Sequence, residues 1–155
     1  MLCLLFELGE SRYALDALRV MEVLPLLTLK PLPQSPPGFA GVFNYRGRPV
    51  PAIDLCQVTL GVSARNWLST RIIVIAMRDS QGQNRPLGLI AERVTQVVRK
   101  DSTAFQDAGL KLARAPYLGP ICMDATGTIQ LIQEEHLLND QLRTAVFEPA
   151  EATAP

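Results

Sequence analysis

The sequence has few of the residue types on which enzymes and nucleic-acid-binding proteins depend. Its 155 residues include one histidine, three cysteines and one tryptophan, and aromatic residues make up 6%. Fifteen basic residues balance fifteen acidic ones, so the formal net charge at pH 7 is zero. A neutral chain has little long-range attraction for nucleic acid or for an anionic membrane. We therefore expect no nucleic-acid partner and no direct membrane insertion.

The cysteines indicate a reducing compartment. Cys3, Cys56 and Cys122 lie far apart in the sequence and do not have metal-binding spacing. Because an odd number cannot be paired completely within one chain, we expect reduced, mostly buried thiols and a cytoplasmic protein. The apolar run at the start of the sequence is interrupted at Glu7, which makes it too short for a signal peptide or a membrane span.

Candidate catalytic and metal-binding motifs are also scarce. His136 follows Glu135 but has no second histidine at the spacing of a zinc-binding helix. The sequence contains neither a Gly-x-Ser-x-Gly nucleophile motif nor a glycine-rich phosphate-binding loop. We therefore predict no catalytic residue, no metal and no cofactor, and we expect His136 at the surface or at a helix end.

Short strands dominate the rest of the sequence. Apolar residues alternate over residues 2–8 and again over 13–15, which is typical of half-buried antiparallel strands. Residues 72–77 are apolar on both faces, as in a central strand. The proline-rich stretch 28–37 is predicted to be a loop, and residues 101–119 show no clear pattern. Further strands are predicted over residues 20–24, 41–45, 50–53, 87–98, 121–123 and 129–132.

Two helices are predicted from their end signals. Asp54 is a suitable N-cap for a helix over residues 55–60, and Gly61 provides its end. Gln57 stands three residues after Asp54, as in a capping box. A second helical pattern covers residues 134–142, with acidic residues in its first turn.

The two halves of the sequence are similar to each other. Residues 13–24 align with residues 87–98, 74 positions later, with five identities among twelve. The pattern of hairpin glycine, strand, acidic cap and helix that starts at Gly47 recurs 80 positions later at Gly127, with Glu134 as the acid. A repeat of this kind predicts two related structural units with a shared interface.

One difference between the halves concerns a pair of charges. At aligned positions, Glu22 corresponds to Gln96, and Arg46 corresponds to Thr126. A pair that served the shared fold alone would be expected in both halves. An acid and a base that occur in one half only suggest a role in binding a partner.

Several segments resemble the CheW-like domain family. Residues 41–55 match its signature, which is roughly G-V-x-N-L-R-G-x-x-x-P-x-I-D-L. Residues 20–23 resemble its V-x-E-V element, and residues 87–94 resemble an element of its second half. Three positions depart from the family pattern: Tyr45 replaces the usual Leu, Glu92 replaces the usual Asp, and Gln133 stands at a usually apolar or acidic position. Residues 101–119 also match the family poorly.

This resemblance implies a mostly β fold without catalytic activity. The expected architecture is two pseudo-symmetric, five-stranded β-barrel subdomains with short helices. We expect one domain over residues 1–147, made of two intertwined halves at about 2–65 and 70–142. A flexible tail is expected at residues 148–155.

The resemblance also implies the function of an adaptor in a bacterial chemosensory pathway. Proteins of this family bind the cytoplasmic tip of a methyl-accepting chemoreceptor and the regulatory domain of a CheA-type histidine kinase. Arg46 is expected beside Glu22, where its planar fork suits a bidentate pair with the carboxylate. Carried over position by position, the partner-binding residues are Val20, Glu22, Gly41, Asn44, Arg46 and Gly47.

Two other functions stay open at this point. Small β-barrels often bind oligonucleotides, so a nucleic-acid-binding barrel is the first alternative. An enzyme with an unrecognised site around His136 is the second. The sequence does not distinguish flagellar, pilus and surface-sensing pathways.

Overall fold

A computed structural model describes residues 1–147, so the expected flexible tail at 148–155 lies outside the described residues. The strands are β1 (Leu2–Leu8), β2 (Ser11–Asp16), β3 (Val20–Pro25), β4 (Phe39–Tyr45), β5 (Arg48–Asp54), β6 (Arg71–Arg78), β7 (Asn84–Arg99), β8 (Leu118–Asp124) and β9 (Gly127–Ile132). The helices are α1 (Leu55–Leu60), α2 (Asp140–Phe147) and short 3-10 helices at Ala17–Arg19, Ser102–Ala104 and Glu134–His136. The predicted mostly β fold with short helices is confirmed.

The strands form two five-stranded sheets that share the long strand β7. Sheet 1 has the order β3–β6–β7–β5–β4 and uses the first half of β7. Sheet 2 has the order β7–β1–β2–β9–β8 and uses the second half of β7. Each sheet therefore combines strands from both halves of the sequence.

The two sheets repeat one arrangement. In sheet 1, β5 runs parallel to β7 with Ala52 opposite Gly88. In sheet 2, β9 runs parallel to β2 with Leu131 opposite Ala14. In the sequence repeat, Gly88 corresponds to Ala14, 74 positions earlier, and Ala52 corresponds to Ile132, 80 positions later. The repeat therefore predicts that Ala14 pairs with Ile132, which is one residue from the observed pairing with Leu131. The sequence repeat is therefore a structural repeat as well.

An isolated bridge joins the two edges of each sheet, although continuous strand pairing closes neither. In sheet 1, Lys30 and Val42 exchange two backbone hydrogen bonds of 2.9 Å. In sheet 2, Gln106 and Ile121 do the same at 2.8 and 2.9 Å. Lys30 and Gln106 follow the edge strands at equivalent places in the two halves. Each sheet is thus a five-stranded, nearly closed barrel.

The core follows from the apolar strand patterns. The largest cluster of buried side chains draws on both sheets and includes Phe6, Leu15 and Leu89. A smaller cluster around Phe43 belongs to sheet 1. Each fully buried side chain of this kind stabilises the fold by about 1.5–3 kcal/mol. The thiols of Cys3, Cys56 and Cys122 are buried and free, as the sequence predicts.

Helix α1 forms where it is predicted, but without a capping box. Asp54 Oδ1 accepts hydrogen bonds from the N–H groups of Cys56 and Gln57 at 2.9 and 3.3 Å. The Gln57 side chain instead donates to the carbonyl oxygen of Gly61 at 3.4 Å. The Asp54 N–H, which a capping box would satisfy, donates to Gly38 at 2.8 Å. The capping-box prediction is wrong because the chain before β4 supplies the acceptor.

The second predicted helix is wrong in its bounds. Residues 134–142 divide into a single 3-10 turn and the start of α2. Asn139 causes the break, since its Oδ1 accepts from the Leu142 N–H at 2.8 Å in N-cap geometry. Glu134 is not a cap; its carboxylate instead lies 3.2 Å from the guanidinium of Arg19. Local sequence pattern does not distinguish one long helix from two capped pieces.

Candidate functional site

Glu22 and Arg46 lie side by side at one edge of sheet 1. Glu22 is in the edge strand β3, just after a bulge where the register against β6 shifts. Arg46 is in the turn between β4 and β5, and its Nη2 donates to Glu22 Oε1 at 2.9 Å. The contact that the family resemblance implies between these two side chains is therefore present.

The contact is single rather than bidentate. The Tyr45 hydroxyl also donates to Glu22 Oε1, at 3.0 Å, so one carboxylate oxygen accepts both hydrogen bonds. Among the described residues, none donates a hydrogen bond to Oε2. The guanidinium of Arg46 lies over the Tyr45 ring, 5.2 Å from its centroid. The expected bidentate pair is wrong because this stacking presents one guanidinium nitrogen to the carboxylate.

The β4–β5 turn holds Arg46 in this position. Arg46 and Gly47 have φ angles of 52° and 83°, and positive φ at both central residues is the signature of a type I′ hairpin. Asn44 Oδ1 accepts from the Gly47 N–H at 2.8 Å and closes the turn. Positive φ is costly for arginine, so the turn maintains a conformation that brings Arg46 to Glu22.

Two predicted site residues occupy structural positions. Gly41 lies inside β4 with a φ of 142°, and a Cβ there would be 2.7 Å from the Lys30 carbonyl oxygen. Gly41 therefore lets the backbone around Lys30 approach strand β4. It does not belong to the β4–β5 turn itself. Val20 begins β3 opposite Ile75, and its half-buried side chain packs against the main core. Val20 therefore anchors the strand that carries Glu22.

Exposed apolar side chains lie close to Glu22 in sequence. Leu18, in the 3-10 helix before β3, is 87% exposed, and Met21, in the bulge, is 54% exposed. Exposed large apolar groups beside polar ones are typical of protein–protein interfaces. The sequence pattern did not single out Leu18, Met21 or Tyr45 as candidates for this site. For Tyr45 a signal exists, because it replaces the Leu of the family pattern directly before Arg46.

A second charged cluster lies where the halves join. Glu92 is 2% exposed and accepts from the N–H groups of Arg65 and Gly9 at 2.6 and 3.2 Å. The Arg65 guanidinium adds two bonds of 3.2 Å. Burial disfavours the charge, but these bonds hold the pKa of Glu92 below its usual value. Glu92, in β7, thus binds Arg65 and holds the segment between the two halves against the sheets.

The described residues show no metal centre. Over residues 1–147, no group of three or more His, Cys, Asp or Glu side chains could hold a metal ion. Every buried side-chain nitrogen and oxygen in the same range has a hydrogen-bond partner. His136 is exposed at the end of its 3-10 helix, where the sequence predicts it. The helices of this range include none long and apolar enough to cross a membrane.

Both the sequence and the fold match known proteins. Residues 2–142 match the family model of the CheW-like domain. A chemotaxis protein CheW from Thermotoga maritima is 31% identical over 94 residues, which cover 61% of this chain and 58% of that protein. Another, from Treponema pallidum, is 29% identical over 99 residues, which cover 60% of this chain and 54% of that protein. The chain thus spans a little over half the length of these relatives.

A solved structure has the same fold. The crystal structure of the scaffolding protein TtCheW from Thermoanaerobacter tengcongensis superposes with a TM-score of 0.76 and 25% identity. The superposition covers 89% of this chain and 87% of that one. CheW-like proteins are chemotaxis scaffolds and adaptors rather than enzymes. With nearly its whole described length matched, this chain belongs to the CheW-like domain family.

Proposed function

We propose that this chain is a cytoplasmic adaptor that couples methyl-accepting chemoreceptors to a CheA-type histidine kinase by binding both. The observation that carries the proposal is the Glu22–Arg46 pair, which occurs in one half of the repeat and lies at an exposed sheet edge. Family membership supports a chemosensory scaffold in general. The receptor tip and the kinase regulatory domain are the partners that we infer for this chain.

The receptor is proposed to bind at the edge formed by β3 and the β4–β5 turn. The side chains of Glu22 and Arg46 are 35% and 74% exposed, so both are accessible to a partner. Leu18 and Met21, which lie close to Glu22 in sequence, are exposed and would add apolar surface. A receptor tip is a helical hairpin, and a helix presents a row of apolar side chains at i, i+3, i+4 and i+7. Such a row would pack on the apolar residues, while polar groups would meet the charged pair.

The kinase is proposed to dock on apolar strand surface of one half, which leaves the receptor edge free. Coupling between the partners requires that both be bound at once and that one receptor state bind more tightly than the other. Neither requirement needs catalysis by the adaptor. The duplicated scaffold offers two related surfaces for this purpose, and only one of them carries the Glu22–Arg46 pair.

Alanine variants of the pair test the proposal. Glu22→Ala and Arg46→Ala should each weaken binding to a receptor tip fragment by about tenfold or more, because truncation leaves one charge of an interface pair without its partner. Isothermal titration calorimetry measures the affinity, and circular dichroism melting shows whether the fold is retained. An exposed pair adds little stability, on the order of 0–1 kcal/mol, so the melting temperature should change little.

Two matched controls accompany these variants. Gln96→Ala truncates the exposed second-half equivalent of Glu22, and Arg48→Ala removes an exposed arginine from the same hairpin. Both should bind the fragment like the unaltered chain. Unchanged affinity in both Glu22→Ala and Arg46→Ala would remove these residues from the binding site.

A further inference from the structure

We propose that Tyr45 is a positioning residue for receptor binding, which holds Glu22 through Oε1 so that Oε2 and Arg46 together bind a carboxamide side chain of the partner. This inference rests on the proposed receptor-binding function and names the chemistry of that same edge. The Tyr45 hydroxyl donates a hydrogen bond of 3.0 Å to Glu22 Oε1.

Tyr45 is a rigid support for the carboxylate. Its ring is buried in the smaller core cluster of sheet 1, where it meets the Phe43 ring edge-on at 6.3 Å. The hydroxyl therefore reaches the sheet edge from a fixed base. Burial, together with the hydrogen bond to Glu22, raises the pKa of Tyr45, so the hydroxyl keeps its proton and stays a donor.

The carboxylate and the guanidinium both keep unused hydrogen-bonding capacity. Glu22 Oε1 accepts from Tyr45 and from Arg46 Nη2. Over residues 1–147, no donor reaches Oε2, and no acceptor reaches the Nε or Nη1 of Arg46. A partner thus meets one free acceptor and free donors a few ångströms apart.

A neutral, planar partner group fits this arrangement best. Glu22 and Arg46 together carry no net charge, so a cation drawn to the carboxylate is repelled by the neighbouring guanidinium, and an anion meets the opposite problem. A carboxamide, as in Asn or Gln, presents donors and an acceptor on one group. Its N–H can donate to Glu22 Oε2 while its oxygen accepts from Arg46.

The pairing of a tyrosine hydroxyl with the glutamate carboxylate occurs in the first half of the repeat only. The sequence repeat aligns Tyr45 with Ala125, and the family pattern has Leu at the position of Tyr45. The side chains of Ala and Leu cannot donate a hydrogen bond to a carboxylate. Without the hydroxyl, rotation of the Glu22 side chain would be restrained only by the single bond from an exposed arginine. Tyr45 therefore fixes which carboxylate oxygen faces the partner.

Calorimetric titration with a soluble cytoplasmic tip fragment of a methyl-accepting receptor tests the role of Tyr45. Tyr45→Phe keeps the buried ring and removes only the hydroxyl. It should weaken binding by about three- to tenfold, the size of one typical net hydrogen bond, because the hydroxyl acts only through Glu22. Tyr117→Phe is the matched control, because Tyr117 belongs to the largest core cluster and the change removes a hydroxyl contact of 3.1 Å to Thr59. Its affinity should equal that of the unaltered chain.

A double-mutant cycle separates positioning from general support of the fold. In the Glu22→Ala background, Tyr45→Phe should cause no further loss of affinity, because the hydroxyl acts through Glu22. Each Asn and Gln of the receptor tip is then replaced by Ala in turn. One of them should lose its effect on binding in the Glu22→Ala background.

The outcomes distinguish this inference from the function on which it rests. The role of Tyr45 would be overturned if the Tyr45→Phe variant bound the fragment as tightly as the unaltered chain. It would also be overturned if Tyr45→Phe caused the same loss of affinity in the Glu22→Ala background as in the unaltered chain. Either result would leave the adaptor function standing. Coupling of Glu22 to a charged tip residue, or to no Asn or Gln, would overturn the carboxamide assignment. Failure of the unaltered chain to bind the fragment would overturn both.

Discussion

Arg12 of the first half and Asp124 of the second half form a two-pronged ion pair, with nitrogen–oxygen distances of 2.5 and 3.1 Å. Lys100 adds a contact of 3.4 Å, and Thr126 donates to the same carboxylate at 2.9 and 2.8 Å. The hydrogen bond from Arg12, followed by those from Thr126, holds the pKa of Asp124 well below its usual value. The repeat aligns Asp124 with Asn44, and each of these side chains accepts a backbone hydrogen bond within its own hairpin turn. Asp124 in addition connects the β8–β9 turn to Arg12 of the first half.

Asp124→Asn should reduce stability at neutral pH and make stability less dependent on pH. Because the folded state lowers the pKa of Asp124, its contribution is complete above the usual aspartate value of 3.8 and is lost as the pH falls through the folded pKa. Urea unfolding midpoints at about pH 6 and pH 3 measure both effects. Asp107→Asn, in an exposed loop, is the control. Equal pH dependence in the Asp124→Asn variant and the unaltered chain would contradict this assignment.

Glu92→Ala should destabilise the junction between the halves by about 2–4 kcal/mol, because two partly buried backbone N–H groups and the Arg65 guanidinium lose the buried carboxylate that accepts their hydrogen bonds. Glu92→Gln keeps an acceptor oxygen and should cost about half as much. Chemical denaturation measures the free energy of unfolding, with Glu135→Ala as an exposed control. If Glu92→Ala lowered the free energy of unfolding by no more than Glu135→Ala does, Glu92 would not stabilise the junction.

The strands could be predicted from the sequence because their burial produces a simple period. Residues 72–77 are apolar because β6 is buried on both faces over residues 72–75, although Ala76 is exposed. The expectation that β1 is half-buried is wrong: Leu4, Phe6 and Leu8 pack in the largest core cluster, and Cys3 and Leu5 are buried in another cluster. The break at Asn139 could not be predicted, because a capping asparagine and a helical one look alike until the cap bond forms. The shared use of β7 by two sheets also depends on contacts distant in sequence.

The candidate site could be predicted only in part. The contact between Glu22 and Arg46 followed from the family resemblance and from the difference between the repeats. The single-pronged geometry did not follow, since it depends on where the Tyr45 ring is buried and on the positive φ of Arg46. Local sequence pattern gives no information on which carboxylate oxygen a neighbouring hydroxyl reaches.

Gly41→Ala should destabilise the protein by about 3 kcal/mol, because a Cβ would meet the Lys30 carbonyl oxygen and the backbone conformation is one that glycine favours. Gly82→Ala is a matched control: its φ of 78° is also positive, but no atom lies within 4 Å of the added Cβ. The control should lose about 1–2 kcal/mol through backbone strain alone. Equal losses in thermal or urea unfolding would show that the approach of Lys30 is not what requires glycine.

Cys56 should resist alkylation in the folded protein. Burial, followed by the nearby carboxylates of Glu92 and Asp54, raises the pKa of its thiol to about 12. The thiolate is the reactive form, so iodoacetamide at about pH 8 should label Cys56 far more slowly than in denaturant. Mass spectrometry of individual cysteines measures the rates. Labelling of native Cys56 as fast as in the denatured chain would contradict its placement in the core.

Formation of a ternary complex tests the adaptor function most directly. The chain, a receptor tip fragment and a kinase regulatory domain are mixed and run on a size-exclusion column with light-scattering detection. We predict one species whose mass accounts for all three components and which is lost when Arg46→Ala replaces the unaltered chain. Binding of each partner only in the absence of the other, or of neither partner, would contradict the account.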